Sequence, residues 1–168
     1  DVDAGGRFTL GKEAAHSRKR IVHARGDQTG AEVARALSER VRATAAVHIV
    51  EHARVLELIV EEGRVFGVRA SVEGRPVDII AEATVLATGG CGQVYRYTTN
   101  PQVATGDGFA IAQRAGAKLA DMEFVQFHPT ALDTPENPLQ LISEAVRGEG
   151  AVLVNARGQR FMSKVHRN

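Results

Sequence analysis

The residues best suited to chemistry fall between positions 123 and 150. Apolar and polar residues alternate over Glu123–His128, which is the pattern of a short strand with one buried face. Pro129 ends that pattern, because proline has no N–H to donate to a sheet and favours an extended residue before it. His128 is therefore predicted to stand at a strand end, where a side chain can face a cleft. A histidine that serves only the packing of the strand is the alternative interpretation.

A second group of polar side chains follows a loop that contains prolines. It supplies a hydroxyl, a carboxylate and a cation ahead of a glycine turn: Ser143, Glu144 and Arg147. A histidine, a hydroxyl and an arginine that lie near one another suit a ligand with a carboxylate group, because all three can donate hydrogen bonds to its oxygens. The residues between positions 123 and 150 thus favour a site for a carboxylate-bearing ligand.

The elements that would position these side chains include a loop that leads into a helix. The apolar residues after Gly26–Gly30 share one helical face: Val33, Ala34, Leu37 and Val41. Thr29 and Glu32 have the spacing of a capping box, so the helix is predicted to start there. Backbone N–H groups at such a helix start suit phosphate or another anion. An ordinary capped surface helix explains the same residues equally well.

Patterns of period two then predict an antiparallel meander. Its three strands are Val55–Val60, Val65–Val72 and Val77–Ala81, joined by connectors that carry turn residues. A further apolar run, Ala83–Ala87, is predicted to be a buried strand. It ends in Thr88-Gly89-Gly90, where backbone without Cβ atoms can approach a ligand closely.

Two further elements complete the prediction. A helix is predicted to open at Thr105–Gly108, and Asp107 near its start is expected either to anchor a ligand hydroxyl or to cap the helix. After Gly150, the residues Ala151–Val154 and Gln159–Met162 are predicted to form a hairpin.

Composition excludes several classes of protein. Hydrophobic residues make up 43% and charged residues 24% of the 168 residues, as in ordinary globular proteins. A formal net charge of +1 argues against a nucleic-acid surface, and no apolar run or leader predicts a membrane partner. The single cysteine, Cys91, rules out an internal disulfide and fits a reducing compartment, so a cytoplasmic location is expected. Scattered histidines give no metal site. The first residue is not methionine, and the chain is expected to be a portion of something longer.

Several short motifs, which follow one another in the order of the family, resemble those of the L-aspartate oxidases. These enzymes belong with the succinate dehydrogenase and fumarate reductase flavoproteins. The motifs cover nearly the whole chain: Glu13-Ala14-Ala15-His16-Ser17, His23 with Gly26–Gly30, Ala87–Gly90, Thr98–Pro101, Thr105–Gly108, Gln126–Thr130 and Ser143–Gly150. The run from Glu13 to His23 favours the L-aspartate oxidases over their siblings.

The resemblance implies an α/β fold, α+β in part. It consists of an incomplete FAD-binding Rossmann-like domain with an antiparallel meander over residues 1–121 and the beginning of a capping domain over residues 122–168. The implied cofactor is FAD, and the implied reaction oxidises L-aspartate to iminoaspartate, the first step toward quinolinate and NAD. Oxygen or fumarate would accept the electrons. The implied partners are a small dicarboxylate substrate and, downstream, quinolinate synthase.

The resemblance also implies roles for individual residues. Substrate contacts are expected at Glu13, which would face the amino group, and at His128, Thr130, Ser143 and Glu144 around the carboxylate end. Cofactor contacts are expected at His23, Asp27, Thr29, Gly30, Arg54, Val55, Thr88, Gly89, Gly90 and Asp107.

Departures from the family pattern limit what the chain alone is expected to do. The family's glycine-rich Rossmann fingerprint is absent, and its proton-transferring arginine belongs to a Pro-Arg-Asp motif that would follow residue 168. Ser143-Glu144 stands where the family usually has Thr-Glu, which keeps the hydroxyl. No catalytic residue is expected within the chain, and the isolated 168 residues are expected to be inactive. The alternatives are a fumarate reductase or succinate dehydrogenase flavoprotein, and a non-catalytic ligand-binding domain.

Overall fold

The computed structural model describes residues 1–13 and 16–165, in two compact units. One unit comprises Asp1–Val47 with the described part of Ile142–Asn168, and the other comprises His48–Leu141. Ala14 and Ala15, which belong to the motif that begins at Glu13, lie outside the described residues. The predicted boundary between a cofactor domain and a capping domain at residue 122 stays a prediction.

Short strands and helices alternate along the chain. In order they are β1 (Leu10–Gly11), β2 (Ile21–Val22), α1 (Thr29–Arg42), β3 (Ala53–Glu61), β4 (Arg64–Val72), β5 (Arg75–Ile80), α2 (Asp107–Arg114) and α3 (Glu144–Gly148). Two short 3-10 turns, Gly92–Val94 and Met162–Lys164, complete the set.

The first unit contains β1, β2, α1 and α3. β1 and β2 form an antiparallel pair in which Leu10 lies opposite Val22. The predicted capping box at the start of α1 is wrong. Gln28 is the N-cap residue and makes no side-chain cap bond. Thr29 lies one residue inside the helix, so its Oγ1 reaches back and accepts a hydrogen bond from Ala24 N–H at 3.2 Å.

The exposed side of α1 is held by ion pairs one turn apart. Arg35 contacts Glu32 at 2.5 Å and Glu39 at 2.6 Å. Its hydrogen bond lowers the pKa of Glu32. Side-chain pairs at these spacings each stabilise a helix by about 0.2–0.5 kcal/mol.

The second unit confirms the predicted meander. β4 pairs antiparallel with both β3 and β5, so β4 is the central strand. Gly67 on β4 has a φ of +147°, and a Cβ there would lie 2.0 Å from the carbonyl oxygen of Ile79. Only glycine therefore lets β5 approach at this point.

One cation joins all three strands of the meander. Arg69 on β4 contacts Glu57 on β3 at 2.8 Å and Asp78 on β5 at 2.7 Å. The hydrogen bond from Arg69 lowers the pKa of Asp78. Opposite charges across neighbouring strands help to fix the register of a sheet.

α2 packs against β3 and is the predicted helix at Thr105–Gly108. Arg114 at its end donates a hydrogen bond to the carbonyl oxygen of Leu56 at 2.9 Å. Ile111 on its inner face is 4% exposed. The few apolar side chains buried in the described residues are Ala70, Ala104 and Ile111, whereas many large ones are exposed. Apolar faces of that extent are normally covered by other protein.

Three predicted strand elements differ in the structure. Glu123–His128 and Ala83–Ala87 form no strand, Glu123 lies in a turn, and the predicted hairpin after Gly150 is reduced to one bridge between Val154 and Arg160. A strand needs a hydrogen-bonded neighbour, and within residues 1–13 and 16–165 neither Glu123–His128 nor Ala83–Ala87 belongs to a sheet. Val85, predicted to be buried, is accordingly 88% exposed.

No helix in the described part of the chain is both long and apolar enough to cross a membrane.

Candidate functional site

A cleft of about 700 Å³ in the first unit, the Ser143 cleft, gathers several of the predicted site residues. The predicted residues in its wall are Glu13, His23, Asp27, Thr29 and Ser143. They come from three segments: the residues after β1, the loop between β2 and α1 together with the first residue of α1, and the residue before α3. The cleft thus combines carboxylates, an imidazole and hydroxyls, which together can bind both a cationic and an anionic group.

A close backbone contact sets the position of α3 in this cleft. A Cβ at Gly148 would lie 1.9 Å from the carbonyl oxygen of Lys12. Because position 148 has no side chain, α3 can lie directly against the segment that carries Glu13.

The loop between β2 and α1 is held from two sides. Thr29 Oγ1 accepts from Ala24 N–H, as described above, and the carboxylate of Asp1 accepts from the N–H groups of Arg25 and Gly26 at 2.9 and 3.0 Å. The Asp1 carboxylate also lies 3.1 Å from Nδ1 of His23. These contacts hold His23 and the loop between β2 and α1 at the edge of the cleft.

Ser143 and Glu144 have different roles at the start of α3. The Ser143 hydroxyl accepts a hydrogen bond from Ala145 N–H at 3.3 Å, which makes it the side-chain N-cap. The Glu144 carboxylate forms an ion pair with Arg147, one turn along, and does not line the cleft. Of this pair of neighbours, only Ser143 therefore presents its side chain to the Ser143 cleft.

In the second unit, His128 lines a pocket of about 230 Å³, the His128 pocket. Its Nδ1 lies 3.2 Å from the backbone nitrogen and 2.9 Å from the carbonyl oxygen of Thr130, so Thr130 aligns the ring through its main chain. When Thr130 N–H donates to Nδ1, the proton resides on Nε2, which is the state that can donate to a carboxylate. The Thr130 hydroxyl, itself a predicted substrate contact, is buried without a partner in the structure and is not part of the pocket wall.

The His128 pocket has wall residues to which the sequence analysis assigned no role in a site. Tyr95 meets Phe127 edge to face, with ring centroids 5.6 Å apart. Gln93 donates to the carbonyl oxygen of Asn100 at 2.8 Å and holds the Thr98–Asn100 loop beside the pocket. In the sequence, these wall residues stand out only as aromatic and amide side chains next to turn-forming residues. That mixture is also common in loops that bind no ligand, so it did not identify a pocket.

A smaller groove of about 140 Å³ in the second unit, the Asp107 groove, contains Arg54, Val55 and Asp107. Arg54 approaches the Asp107 carboxylate to 3.6 Å. Of the two expectations for Asp107, the cap is wrong: Gly106 is the N-cap residue, and no side-chain cap bond is present. Asp107 lies one residue inside the helix, where its carboxylate contacts Arg54, and its expected contact with a ligand hydroxyl stays a prediction.

The predicted glycine turn lies against the start of α2. A Cβ at Gly108 would fall 1.9 Å from Thr88 Oγ1, so Thr88 packs directly on the helix backbone. Gly89 has a φ of +72°, which favours glycine, and a Cβ at Gly89, Gly90 or Gly30 would meet no atom within 4 Å. The backbone at these positions is thus open to the approach of a flat ligand.

No group of three or more histidine, cysteine or acidic side chains able to hold a metal ion occurs in the described residues.

Curated proteins similar to the chain include L-aspartate oxidases from several bacteria. The chain is 51% identical over 165 residues to the L-aspartate oxidase of Agrobacterium fabrum, which covers 98% of the chain and 32% of that protein. It is 52% identical over 175 residues to the L-aspartate oxidase of Streptomyces coelicolor, which covers 99% of the chain and 30% of that protein. The chain therefore spans about a third of the length of these relatives, and the similarity confirms the resemblance drawn from the motifs.

Solved structures with the same fold come from related flavoproteins. E. coli quinol fumarate reductase FrdA matches with a TM-score of 0.88 and 35% identity, over 98% of the chain and 28% of that protein chain. Mycobacterium smegmatis Sdh1 matches with a TM-score of 0.73 and 34% identity, over 99% of the chain and 30% of that protein chain.

A family model described as an FAD binding domain matches residues 1–168. The predicted fold class and the predicted cofactor, FAD, are therefore confirmed at the level of the family. The open glycine backbone at Gly89 and Gly90 and the Arg54–Asp107 pair fit such a cofactor, because they combine close approach with polar partners for its hydroxyl and phosphate groups. The chain belongs to the FAD binding domain family.

Proposed function

We propose that this chain is part of an FAD-dependent L-aspartate oxidase, which converts L-aspartate to iminoaspartate at the start of quinolinate and NAD biosynthesis. The observation that carries the proposal is the Ser143 cleft, which both Glu13 and Ser143 line. An amino dicarboxylate carries an ammonium and carboxylates, so it needs both an acidic partner and hydrogen-bond donors. Identity of about half to L-aspartate oxidases supports the same choice of substrate.

Each residue then has a definite task. Glu13 binds the ammonium of L-aspartate, and the Ser143 hydroxyl donates a hydrogen bond to a carboxylate oxygen. In the tautomer in which Thr130 N–H donates to Nδ1, His128 donates a second such bond from Nε2, in the role that the family resemblance assigns to it. Bound FAD would supply the hydride acceptor for oxidation of the substrate's C–N bond, a reaction in which the amino group also gives up a proton.

The cofactor residues form a second part of the proposal. Asp107 and Arg54 supply a carboxylate and a guanidinium for the hydroxyl and phosphate groups of FAD, and the Thr88–Gly90 turn lies against it. His23, Asp27, Thr29 and Gly30 are assigned to the cofactor from the resemblance, with Thr130 and Glu144 assigned to substrate. The electron acceptor, quinolinate synthase as a partner and the cytoplasmic location stay predictions.

The second candidate function is that of an oxidoreductase whose dicarboxylate substrate has no amino group, such as succinate or fumarate. The TM-score of 0.88 to quinol fumarate reductase FrdA favours it, since the two proteins share the fold of this region. A non-catalytic ligand-binding domain is the third candidate. The three differ in whether L-aspartate, succinate or neither reduces the bound flavin.

The test is a visible absorbance scan of the full-length protein and of the 168-residue chain, each after addition of FAD. We expect the full-length protein to retain flavin that L-aspartate bleaches without oxygen and succinate does not, and we expect the short chain to stay colourless. Bleaching by succinate alone would move the assignment to the fumarate reductase group. A full-length protein that neither ligand bleaches would overturn the dicarboxylate site.

A Glu13→Gln variant sharpens the same experiment. Because glutamine keeps the size of the side chain and loses its charge, the affinity for L-aspartate should fall while FAD binding is unchanged. Equal affinity for L-aspartate in the variant would exclude Glu13 as the ammonium partner.

A further inference from the structure

Asp1, to which no role has been assigned, binds the loop that carries three residues of the Ser143 cleft. Its Oδ1 accepts from Arg25 N–H at 2.9 Å, and its Oδ2 accepts from Gly26 N–H at 3.0 Å. Oδ2 also lies 3.1 Å from Nδ1 of His23. Asp1 itself does not line the cleft.

The two backbone bonds depend on an unusual local conformation. Arg25 has a φ of +51° and Gly26 a φ of +74°, so both lie in the left-handed region. Successive residues in such conformations can direct their N–H groups toward a single anion. The Asp1 carboxylate occupies that position and compensates Arg25 for a conformation that a non-glycine residue seldom adopts.

The bond to His23 determines which ring nitrogen carries the proton. A carboxylate accepts, so Nδ1 must donate, and in the neutral ring Nε2 is then left with a lone pair. The ring also packs beside Gly11, where a Cβ would lie 3.4 Å from His23 Cδ2. The His23 side chain is 22% exposed and belongs to the cleft wall.

We propose that Asp1 is a positioning residue, which fixes His23 so that Nε2 accepts a hydrogen bond from an N–H group of the ligand in the Ser143 cleft. The inference rests on the proposed function, which offers two sources of such a group. One is the flavin ring of FAD, and the other is the ammonium of L-aspartate. The hydrogen bond at one ring nitrogen of a histidine sets whether the other nitrogen donates or accepts.

The experiment uses Asp1→Ala and Asp1→Asn in the full-length flavoprotein. In Asp1→Ala, His23 is no longer oriented to accept its hydrogen bond from the ligand. Ligand binding should therefore weaken about tenfold, the size expected for the loss of an ordinary hydrogen bond. Asp1→Asn keeps the size of the side chain and can still accept from Arg25 N–H, yet it no longer forces the proton onto Nδ1. Asp1→Asn should therefore fold normally, and its affinity for the ligand should fall nearly as much as that of Asp1→Ala.

Asp3 offers a matched control in the same segment. Its Oδ1 also accepts two backbone bonds, from Gly5 N–H at 2.8 Å and Arg7 N–H at 3.0 Å, but neither Asp3 nor these partners line the cleft. Asp3→Ala should leave binding and turnover unchanged.

Two readouts distinguish the sources of the N–H group. If the flavin is the donor, the dissociation constant of FAD rises in Asp1→Ala and its absorbance band shifts. If the substrate ammonium is the donor, the KM for L-aspartate rises while the KM for reduction of fumarate, which has no ammonium, stays the same.

A double-mutant cycle with His23→Ala separates positioning from general support of the fold. If Asp1 acts through His23, Asp1→Ala should add no further loss of binding once His23 is absent. An equal loss with and without His23, or a change in thermal stability alone, would overturn the inference. A wild-type protein that binds no flavin would refute the proposed function and this inference together, whereas an active protein with an unaffected Asp1→Asn refutes only the inference.

Discussion

Thr88 lies so close to Gly108 that a Cβ at position 108 would come within 1.9 Å of the threonine Oγ1. The contact joins the Thr88-Gly89-Gly90 turn to the first turn of α2, beside Asp107. Because the Thr88 side chain lies directly on the backbone at Gly108, the position of the turn depends on glycine at 108.

We expect Gly108→Ala to destabilise the full-length protein and to weaken FAD binding. The added methyl group must push the turn away from α2, and overpacking of this kind costs about 1–3 kcal/mol. Denaturant unfolding measures the first effect, and FAD titration measures the second. Gln113→Ala on the exposed side of the same helix is the control. If Gly108→Ala matches the control in both measurements, the close contact does not matter for the turn.

His128→Ala should reduce kcat/KM for L-aspartate in the full-length enzyme by about 10- to 150-fold. The range corresponds to loss of one hydrogen bond to a charged group, about 1.5–3 kcal/mol. Steady-state kinetics with L-aspartate measure it, and FAD content should be unchanged. The exposed His48 provides a control, since His48→Ala removes an imidazole outside the His128 pocket. An unchanged kcat/KM in His128→Ala would leave His128 as a structural residue.

The sequence predicted local features well and long-range ones poorly. The meander and α1 depend on patterns within a few residues, and both formed at the expected positions. The capping box failed because Thr29 and Glu32 had alternative partners, Ala24 and Arg25, that spacing alone does not reveal. Ala83–Ala87 has the composition of a buried strand, but its state depends on neighbours elsewhere in space.

The candidate site shows the same division. From the order of the motifs, Glu13 and Ser143 were both expected to contact the substrate, although they lie far apart in sequence. In the structure both line the Ser143 cleft. The Asp1 contact with His23 could not be foreseen, because nothing in the local sequence links a carboxylate at position 1 to a loop at position 25. Contacts of that kind require the fold.

Substitutions of Ser143 can separate its cap from its hydroxyl. Ser143→Ala loses both, at a cost in stability of about 1 kcal/mol. Ser143→Gly also loses the hydroxyl, but glycine is a tolerable N-cap residue, so the cost in stability is only about a few tenths of a kcal/mol. Both variants should show a similar fall in kcat/KM for L-aspartate, and only Ser143→Ala should unfold clearly earlier. Ser143→Thr, which restores the family's usual residue, should keep both properties. If activity follows stability across the three variants, the hydroxyl serves the helix and not the substrate.

The Arg69–Asp78 pair predicts how stability depends on acid. The pKa of Asp78 lies below its ordinary value of 3.8 in the folded protein, chiefly because of the hydrogen bond from Arg69. A carboxyl group with a lowered pKa stabilises the fold above its ordinary pKa, and this contribution disappears as the pH falls through the folded-state pKa. Asp78→Asn lacks the contribution at every pH. The difference in unfolding midpoint between wild type and Asp78→Asn should therefore be largest near neutral pH and should vanish in strong acid.

Urea unfolding of the full-length protein over this pH range is the measurement. Glu82→Gln is the control, because Glu82 is an exposed carboxylate just after β5 that makes no ion pair among the described residues. Its midpoint should follow wild type at all pH values. High salt should narrow the gap for Asp78→Asn, since both partners of the pair are about half exposed and salt screens such charges. A gap that stayed constant into strong acid would mean that Asp78 contributes through its shape and not through its charge, and the role of Arg69 in joining β4 to β5 would have to be reassigned.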